Sequence, residues 1–304
     1  MGARPAQDKH ERRNAILATL RSQPALRVQE LAHKFAVTTE TIRRDLDALH
    51  QAGHLSRTYG GATARPYSFE PSLGDRSKLM IAERTAIAAE AAELIKPGDS
   101  LMIDAGATTV HCAHQLAAQF KKLTVLTNSF AVAFALSANP TIKIVVVPGE
   151  FDGAEGAILG SEAIAFLKAY RADKAIVGAT GISCEGLHDA NREIAAVKRA
   201  MIKQASAVIC VADHEKFDRV SLVTVAPLAA IDCIVTDQWP TGKLANAIQA
   251  AKVSVRCPPG AGKSLGASGG GRAGRNRGAS TRGRNVLQCE ASPVADLRPK
   301  LTHL

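Results

Sequence analysis

Over the first fifty residues, apolar positions recur at the spacing of short helices. Ile16, Leu17 and Leu20 share one face of a first helix. Leu31 and Phe35 stand four apart in VQELAHKF, and Ile42, Leu46 and Leu49 form the stripe of a third helix from about Thr39 to Ala52. Thr38 or Thr39 suits its N-cap and Gly53 its end. HLSRTYGGA, which follows, reads as a short hairpin or extended wing.

From residue 79 to 255 the pattern changes to apolar runs alternating with helical periods. The runs predict strands over 100–105, 123–128, 142–149, 174–179, 207–213 and 233–237. Between them the pattern predicts helices over 80–95, 108–119, 130–137, 160–169, 192–205 and 243–251. This alternation implies an α/β domain with a mainly parallel sheet covered on both faces. Residues 63–78, with two prolines, two serines and no clear period, read as a linker. Residues 256–304 turn rich in Gly, Arg and Ser, a composition that buries no core and predicts disorder. The organisation is 1–62, 63–78, 79–255 and 256–304.

Charge sharpens this division. The net formal charge of +10 is carried by the two ends: residues 1–65 hold 11 Lys+Arg against 6 Asp+Glu, residues 66–255 hold 18 against 20, and residues 256–304 hold 9 against 2. Basic ends on a near-neutral middle point to nucleic acid. No apolar run approaches the roughly 18 residues of a membrane helix, and the charged N-terminus lacks the apolar centre of a signal peptide, which implies a cytoplasmic protein with no membrane partner. The six cysteines form no C-x-x-C pair, so no metal site, disulfide framework or cofactor is expected; Cys210 and Cys233, in apolar runs, read as buried small hydrophobes.

On a helical wheel, Glu40, Arg44, Asp47 and Gln51 fall opposite Ile42, Leu46 and Leu49, while Thr39, Thr41 and Arg43 flank the polar face. Two short helices, a tight turn and a polar-faced third helix form a helix-turn-helix pattern whose third helix enters the major groove. Thr39, Glu40, Thr41, Arg43 and Arg44 are its candidate DNA contacts, with Arg57 and Tyr59 on the wing reaching neighbouring backbone or minor groove. The alternative is a solvated pair of arginines bonded to Glu40 and Asp47.

In MIDAGATTVHCAHQL a strand meets a helix through a small loop carrying Asp104, Gly106, Thr108 and Thr109. Glycine lets backbone approach a ligand, and hydroxyls with free N–H groups at a helix N-terminus favour an anion such as phosphate. A simple helix cap explains the loop equally well. Other strand ends supply Thr127 and Asn128, Gly178, and Asp213 with Lys216; Lys198 is a further candidate cation, surface exposure being its alternative. Ligands of open parallel sheets bind beyond the carboxyl ends of strands, where these groups converge.

ELAHKFAVTTETIRRDLDAL followed by GHLSRTYGGA resembles the N-terminal signature of the DeoR family of bacterial transcription repressors, and the resemblance extends to about residue 255. It implies a winged helix-turn-helix domain, double-stranded operator DNA as partner, a homo-oligomer, and a second domain similar to ribose-5-phosphate isomerase. That domain would sense a phosphorylated sugar or glycerol 3-phosphate. Asp104, Gly106, Thr108 and Thr109 match the family's phosphate loop, Thr127-Asn128 its T-N, and Asp213 and Lys216 its D-x-S-K. The chain departs from the family at Glu150 and Glu215, whose carboxylates would repel a phosphate if they faced it.

Asp104, Glu193 and Lys216 are residue types that also serve acid–base chemistry, so an isomerase is the competing class, and an RNA-binding regulator another. A metabolite domain fused to a DNA-binding domain is more simply a switch. PPGAGKSLG fails as a phosphate-binding loop because Cys257 stands where glycine is required. The tail arginines Arg272, Arg275, Arg277, Arg282 and Arg284 would add sequence-independent DNA affinity, or the tail is an incidental extension.

Overall fold

The structure is a computed structural model that describes residues 9–51, 55–64, 66–119 and 122–261. Most of the basic tail and the Gly53 helix end lie outside the described residues.

The N-terminal module runs α1 (Lys9–Ser22), β1 (Ala25–Arg27), α2 (Val28–Phe35), α3 (Thr39–Gln51), β2 (Leu55–Thr58) and β3 (Gly61–Ala64). Its core joins the apolar stripes of all three helices, with Ile16, Leu20, Leu31, Ile42, Leu46 and Leu49 packed against Leu26, Leu55 and Ala62. The α2–α3 turn passes through Ala36 in the left-handed region (φ 53°), and Thr38 caps α3 by accepting from the Thr41 N–H at 3.2 Å. The wing is a three-stranded antiparallel sheet in the order β1-β3-β2. Its two glycines do different work. Gly60 turns the hairpin at φ +80°, whereas a Cβ on Gly61 would meet the Leu26 carbonyl oxygen at 2.1 Å, so only glycine lets β3 lie against β1.

Beyond it lie α4 (Leu73–Arg76), α5 (Ile81–Ala92), β4 (Ser100–Ile103), α6 (Ala107–Ala118), β5 (Thr124–Thr127), α7 (Phe130–Ser137) and β6 (Lys143–Val146). There follow β7 (Glu150–Asp152), β8 (Ala157–Leu159), α8 (Ser161–Lys168), β9 (Ala172–Val177), β10 (Gly181–Ser183), β11 (Gly186–Asp189), α9 (Arg192–Gln204) and β12 (Ala205–Val211). The last elements are β13 (Val223–Ala226), β14 (Cys233–Val235), α10 (Gly242–Ala250) and β15 (Ser254–Arg256). Every strand and helix the pattern predicts here is present, with ends shifted by a few residues. The segment read as a linker holds α4 and is fastened down: the Leu73 N–H donates to the Ala154 carbonyl, and the Tyr67 carbonyl accepts from the Leu222 N–H.

Seven strands form one sheet in the order β15-β14-β12-β9-β4-β5-β6, and every pairing is parallel. Both faces are buried, as continuous apolar strands require. Leu101, Ile103, Val125, Ile176 and Val211 pack with Ile87 of α5, Leu116 of α6 and Leu136 of α7. Met102, Leu126, Val177, Val208 and Cys210 pack on the other face with Leu167 of α8, Met201 of α9 and Leu244 of α10. Cys210 and Cys233 are both buried. From β4 the chain steps outward to β5 and β6, then returns to the other side of β4 as β9 and continues to β12, β14 and β15. The order reverses between β4 and β9, so a crevice opens beyond the carboxyl ends of those two strands.

A candidate DNA-reading helix and an anion-binding crevice

On α3 the side chains of Arg43 and Arg44 are 56% and 78% exposed. Both lean toward Glu40, at 3.9 Å and 3.1 Å. Contacts so exposed are weak and yield readily to a polyanion. Asp47 is not their second partner: it meets Arg57 Nε at 2.8 Å, and Arg57 Nη1 donates to the Gly61 carbonyl at 2.8 Å. Arg57 thereby ties the wing to α3. Tyr59 stands wholly exposed at the hairpin tip, and Thr39 and Thr41 are half-buried, the Thr41 hydroxyl 2.9 Å from that of Thr38. Asp45, next to the arginine pair, is buried and accepts from Arg12 Nε at 2.6 Å and Arg13 Nε at 2.9 Å, locking α1 to α3.

At the switch point, Ala105, Gly106, Ala107 and Thr108 after β4 face Gly178, Ala179 and Thr180 after β9 across a polar crevice. Arg76, Arg84, Lys198 and Lys216 line it together with Glu70, Glu155 and Asp189. The N-terminus of α6 begins at Gly106 with no side chain capping it, leaving backbone N–H groups for an anion.

Of the residues expected to hold an effector, Gly106, Thr108, Gly178, Lys198 and Lys216 line the crevice. The others stand behind it. Asp104 is buried, receives the Gly178 N–H at 3.2 Å on both oxygens, and pairs with Lys198 at 2.8 Å, clamping the ends of β4 and β9 together. Thr109, also buried, donates to the carbonyls of Asp104 and Gly106 and fixes the loop. Thr127 Oγ1 accepts from the Ser129 N–H, and the Asn128 amide donates to the Ile158 carbonyl at 3.1 Å. Asp213 is buried with Arg84 at 3.7 Å, and neither carboxylate oxygen has a hydrogen-bond donor. Glu150 and Glu215 are not among the lining residues.

Lys198 is buried rather than exposed. Its ammonium meets Asp104 at 2.8 Å, Asp189 at 3.1 Å and the Gly178 carbonyl at 2.8 Å, so all three donors are used. Burial opposes its charge, but the two carboxylates outweigh it and raise its pKa above the ordinary lysine value. Burial pushes the Asp104 carboxyl up, against the opposing pull of Lys198 and the Gly178 N–H.

The sequence reading did not find Glu70, Arg76, Arg84, Glu155 or Asp189. Glu70 and Arg76 fall in the aperiodic segment. Arg84 did leave a signal: it stands three and four residues before Ile87 and Ala88, on the buried stripe of α5, where a charge needs a reason. Its Nε and that of Arg76 have no hydrogen-bond acceptor although both are buried.

Residues 12–65 match the DeoR-like helix-turn-helix domain and residues 80–238 the DeoR C terminal sensor domain. The chain belongs to the DeoR family. Relatives within it include the Glycerol-3-phosphate regulon repressor of Escherichia coli (strain K12), 32% identical over 76% of this chain and 91% of that one. The HTH-type transcriptional repressor GlcR of Bacillus subtilis (strain 168) is 36% identical over 76% of this chain and 90% of its own. The Transcriptional repressor AccR of Agrobacterium fabrum (strain C58 / ATCC 33970) is 34% identical over 75% and 89%. A solved ribose 5-phosphate isomerase A from Methanocaldococcus jannaschii overlaps 44% of this chain and 53% of its own at 17% identity and a TM-score of 0.34, too slight an overlap to bear on fold or activity. This DeoR-family chain is a DNA-binding transcriptional regulator with a sensor domain. Among its described residues no helix is long and apolar enough to cross a membrane.

Proposed function

We propose that this DeoR-family protein is an operator-binding repressor released by a small phosphorylated metabolite of the sugar-phosphate class, glycerol 3-phosphate included. The supporting observation is the uncapped N-terminus of α6, which opens at the switch point of a parallel sheet into a crevice lined by Arg76, Arg84 and Lys216. Backbone N–H groups and cations converging on one point favour a phosphate. Thr108 would bond the same group. Residues 9–62 read duplex operator DNA through α3, the chain acts in the cytoplasm as a homo-oligomer pairing two recognition helices on two half-sites, and residues 79–255 hold the effector. Release follows if the effector binds the non-DNA-binding state more tightly.

We read no turnover into the crevice. Asp104, the carboxylate nearest the loop, is held by Lys198 and the Gly178 N–H, and Lys198 has no donor left for a substrate. The test is a gel shift with the DNA beside this protein's own gene, at fixed salt, against a panel of sugar phosphates and glycerol 3-phosphate. A specific complex dissolved by one of them is the expected result. A specific complex that none of them affects refutes the effector class, and conversion of ribose 5-phosphate by the purified protein refutes the sensor reading.

A further inference from the structure

The crevice already contains an anion of its own. Glu70 lies in the segment that follows β3 in the chain, outside any helix or strand, and its carboxylate is almost fully buried. One oxygen meets Arg76 at 3.3 Å and Lys216 at 3.2 Å; the other meets Arg219 at 3.2 Å. Two of these cations line the crevice that α6 opens into. Around it Arg76, Arg84, Lys198, Lys216 and Arg219 stand against Glu70, Asp104, Glu155, Asp189 and Asp213, with Glu215 close to Lys216 and Arg219 as well, so the cations hold no excess of charge.

A phosphate dianion entering a balanced, half-buried cluster is unfavourable unless a carboxylate leaves. Four of the five carboxylates are poorly placed to leave. Asp104 and Asp189 share buried Lys198, Asp213 lies beneath Arg84, and Glu155 holds Arg76 at 2.7 Å. Glu70 alone among them belongs to the segment that leads from the wing into the sensor domain, and its carboxylate meets three cations at 3.2–3.3 Å, longer than the 2.7–2.9 Å of a strong charge-assisted bond. Together with Glu155 it also lines the neighbouring cleft of Ser68, Asn191, Arg192 and Glu193.

We propose that Glu70 holds the place of the effector's phosphate: an incoming anion displaces it from Arg76 and Lys216, and segment 66–72 then loosens from the sensor domain. This rests on the reading of the crevice as the effector site. Displacement frees the stretch that leads from the wing into the sensor. The occupied crevice and the docked segment are thus mutually exclusive, which is the differential affinity a switch requires.

The test is calorimetric titration of inorganic phosphate into the full-length protein and its Glu70→Gln variant. The variant removes the competing charge while keeping shape, and is expected to bind phosphate about tenfold more tightly. Equal or weaker binding by a folded variant overturns the displacement and leaves the crevice as an anion site. Binding to neither protein overturns the crevice reading and the displacement together. A measurement on the unaltered protein guards against misfolding of the variant. The Leu222 N–H, bonded to the Tyr67 carbonyl at 3.1 Å, is expected to exchange with deuterium faster when phosphate is added; unchanged or slower exchange at saturating phosphate overturns the release.

Discussion

The Lys198 ammonium lies 2.8 Å from the Asp104 carboxylate, and both side chains are sealed from solvent. The pair joins α9 to the loop between β4 and α6, and Asp189 shares the same cation. Removing one partner of a buried pair leaves the other desolvated and uncompensated. Lys198→Met is therefore expected to lower unfolding stability by about 3–5 kcal/mol. Urea denaturation of the variant checks this. A loss under about 1 kcal/mol would mean that the carboxylates find water or another cation.

The recognition module contains two kinds of arginine, and substitution should separate them. Arg44→Ala removes a solvent-exposed side chain whose bond to Glu40 contributes little to folding. Its thermal transition should stay put while operator affinity falls by about 1–3 kcal/mol. Repeating the titration at several salt concentrations tells phosphate from base contact: a shallower salt dependence marks phosphate.

Asp45→Ala should do the reverse. It removes the carboxylate shared by Arg12, which is buried, and Arg13, which is partly exposed. We expect destabilisation of about 2–4 kcal/mol in the N-terminal module. Thermal unfolding monitors it, and operator binding should return on cooling.

Thr108→Glu places a carboxylate at the N-terminus of α6, against the crevice. It is expected to abolish release by the effector while leaving operator binding in place, since Thr108 is half-buried at the crevice and belongs to neither α3 nor the wing. Gel shifts with and without ligand decide; joint loss of both functions would indicate misfolding instead.

The pair of His214 and Asp237 predicts a pH dependence. Burial opposes a charge on His214, but the hydrogen bond and charge of Asp237 outweigh it and raise its pKa above the ordinary 6.5; Glu215 and Asp213 add to the rise. Burial likewise works against Asp237, and His214 holds its pKa below 3.8. The histidine's contribution is complete below 6.5 and fades as pH rises through its folded pKa. The aspartate's is complete above 3.8 and fades as pH falls through its own. The stability difference between the unaltered protein and His214→Gln should be larger at about pH 5.5 than at about pH 9. Urea midpoints at both pH values measure it, and a difference constant with pH would refute the pair.

The elements were legible because their signals are local. The stripe of Ile42, Leu46 and Leu49 needs only the helical period, and the apolar runs that became β4, β5, β9 and β12 need only length and neighbours. The Gly106–Thr108 loop was visible for the same reason, as a strand running into a helix. The extra strands β1, β7, β8, β10, β11, β13 and β15 left no readable pattern, being short and not set within a longer apolar run.

What could not be read was who meets whom. Asp45 looked like its exposed neighbours in R-R-D-L, yet helical geometry turns it inward to arginines more than thirty residues earlier. Asp104 and Lys198 both read from the sequence as ligand contacts, whereas the fold pairs each with the other. Glu70 and Arg76 fell in a stretch without period and became crevice walls through partners 146 and 79 residues away. Hydrophobic periodicity is written in the chain because it reports the environment of one segment at a time. Charge pairing across a sheet's switch point is not, because it exists only once distant strand ends have been brought together and water has been excluded between them.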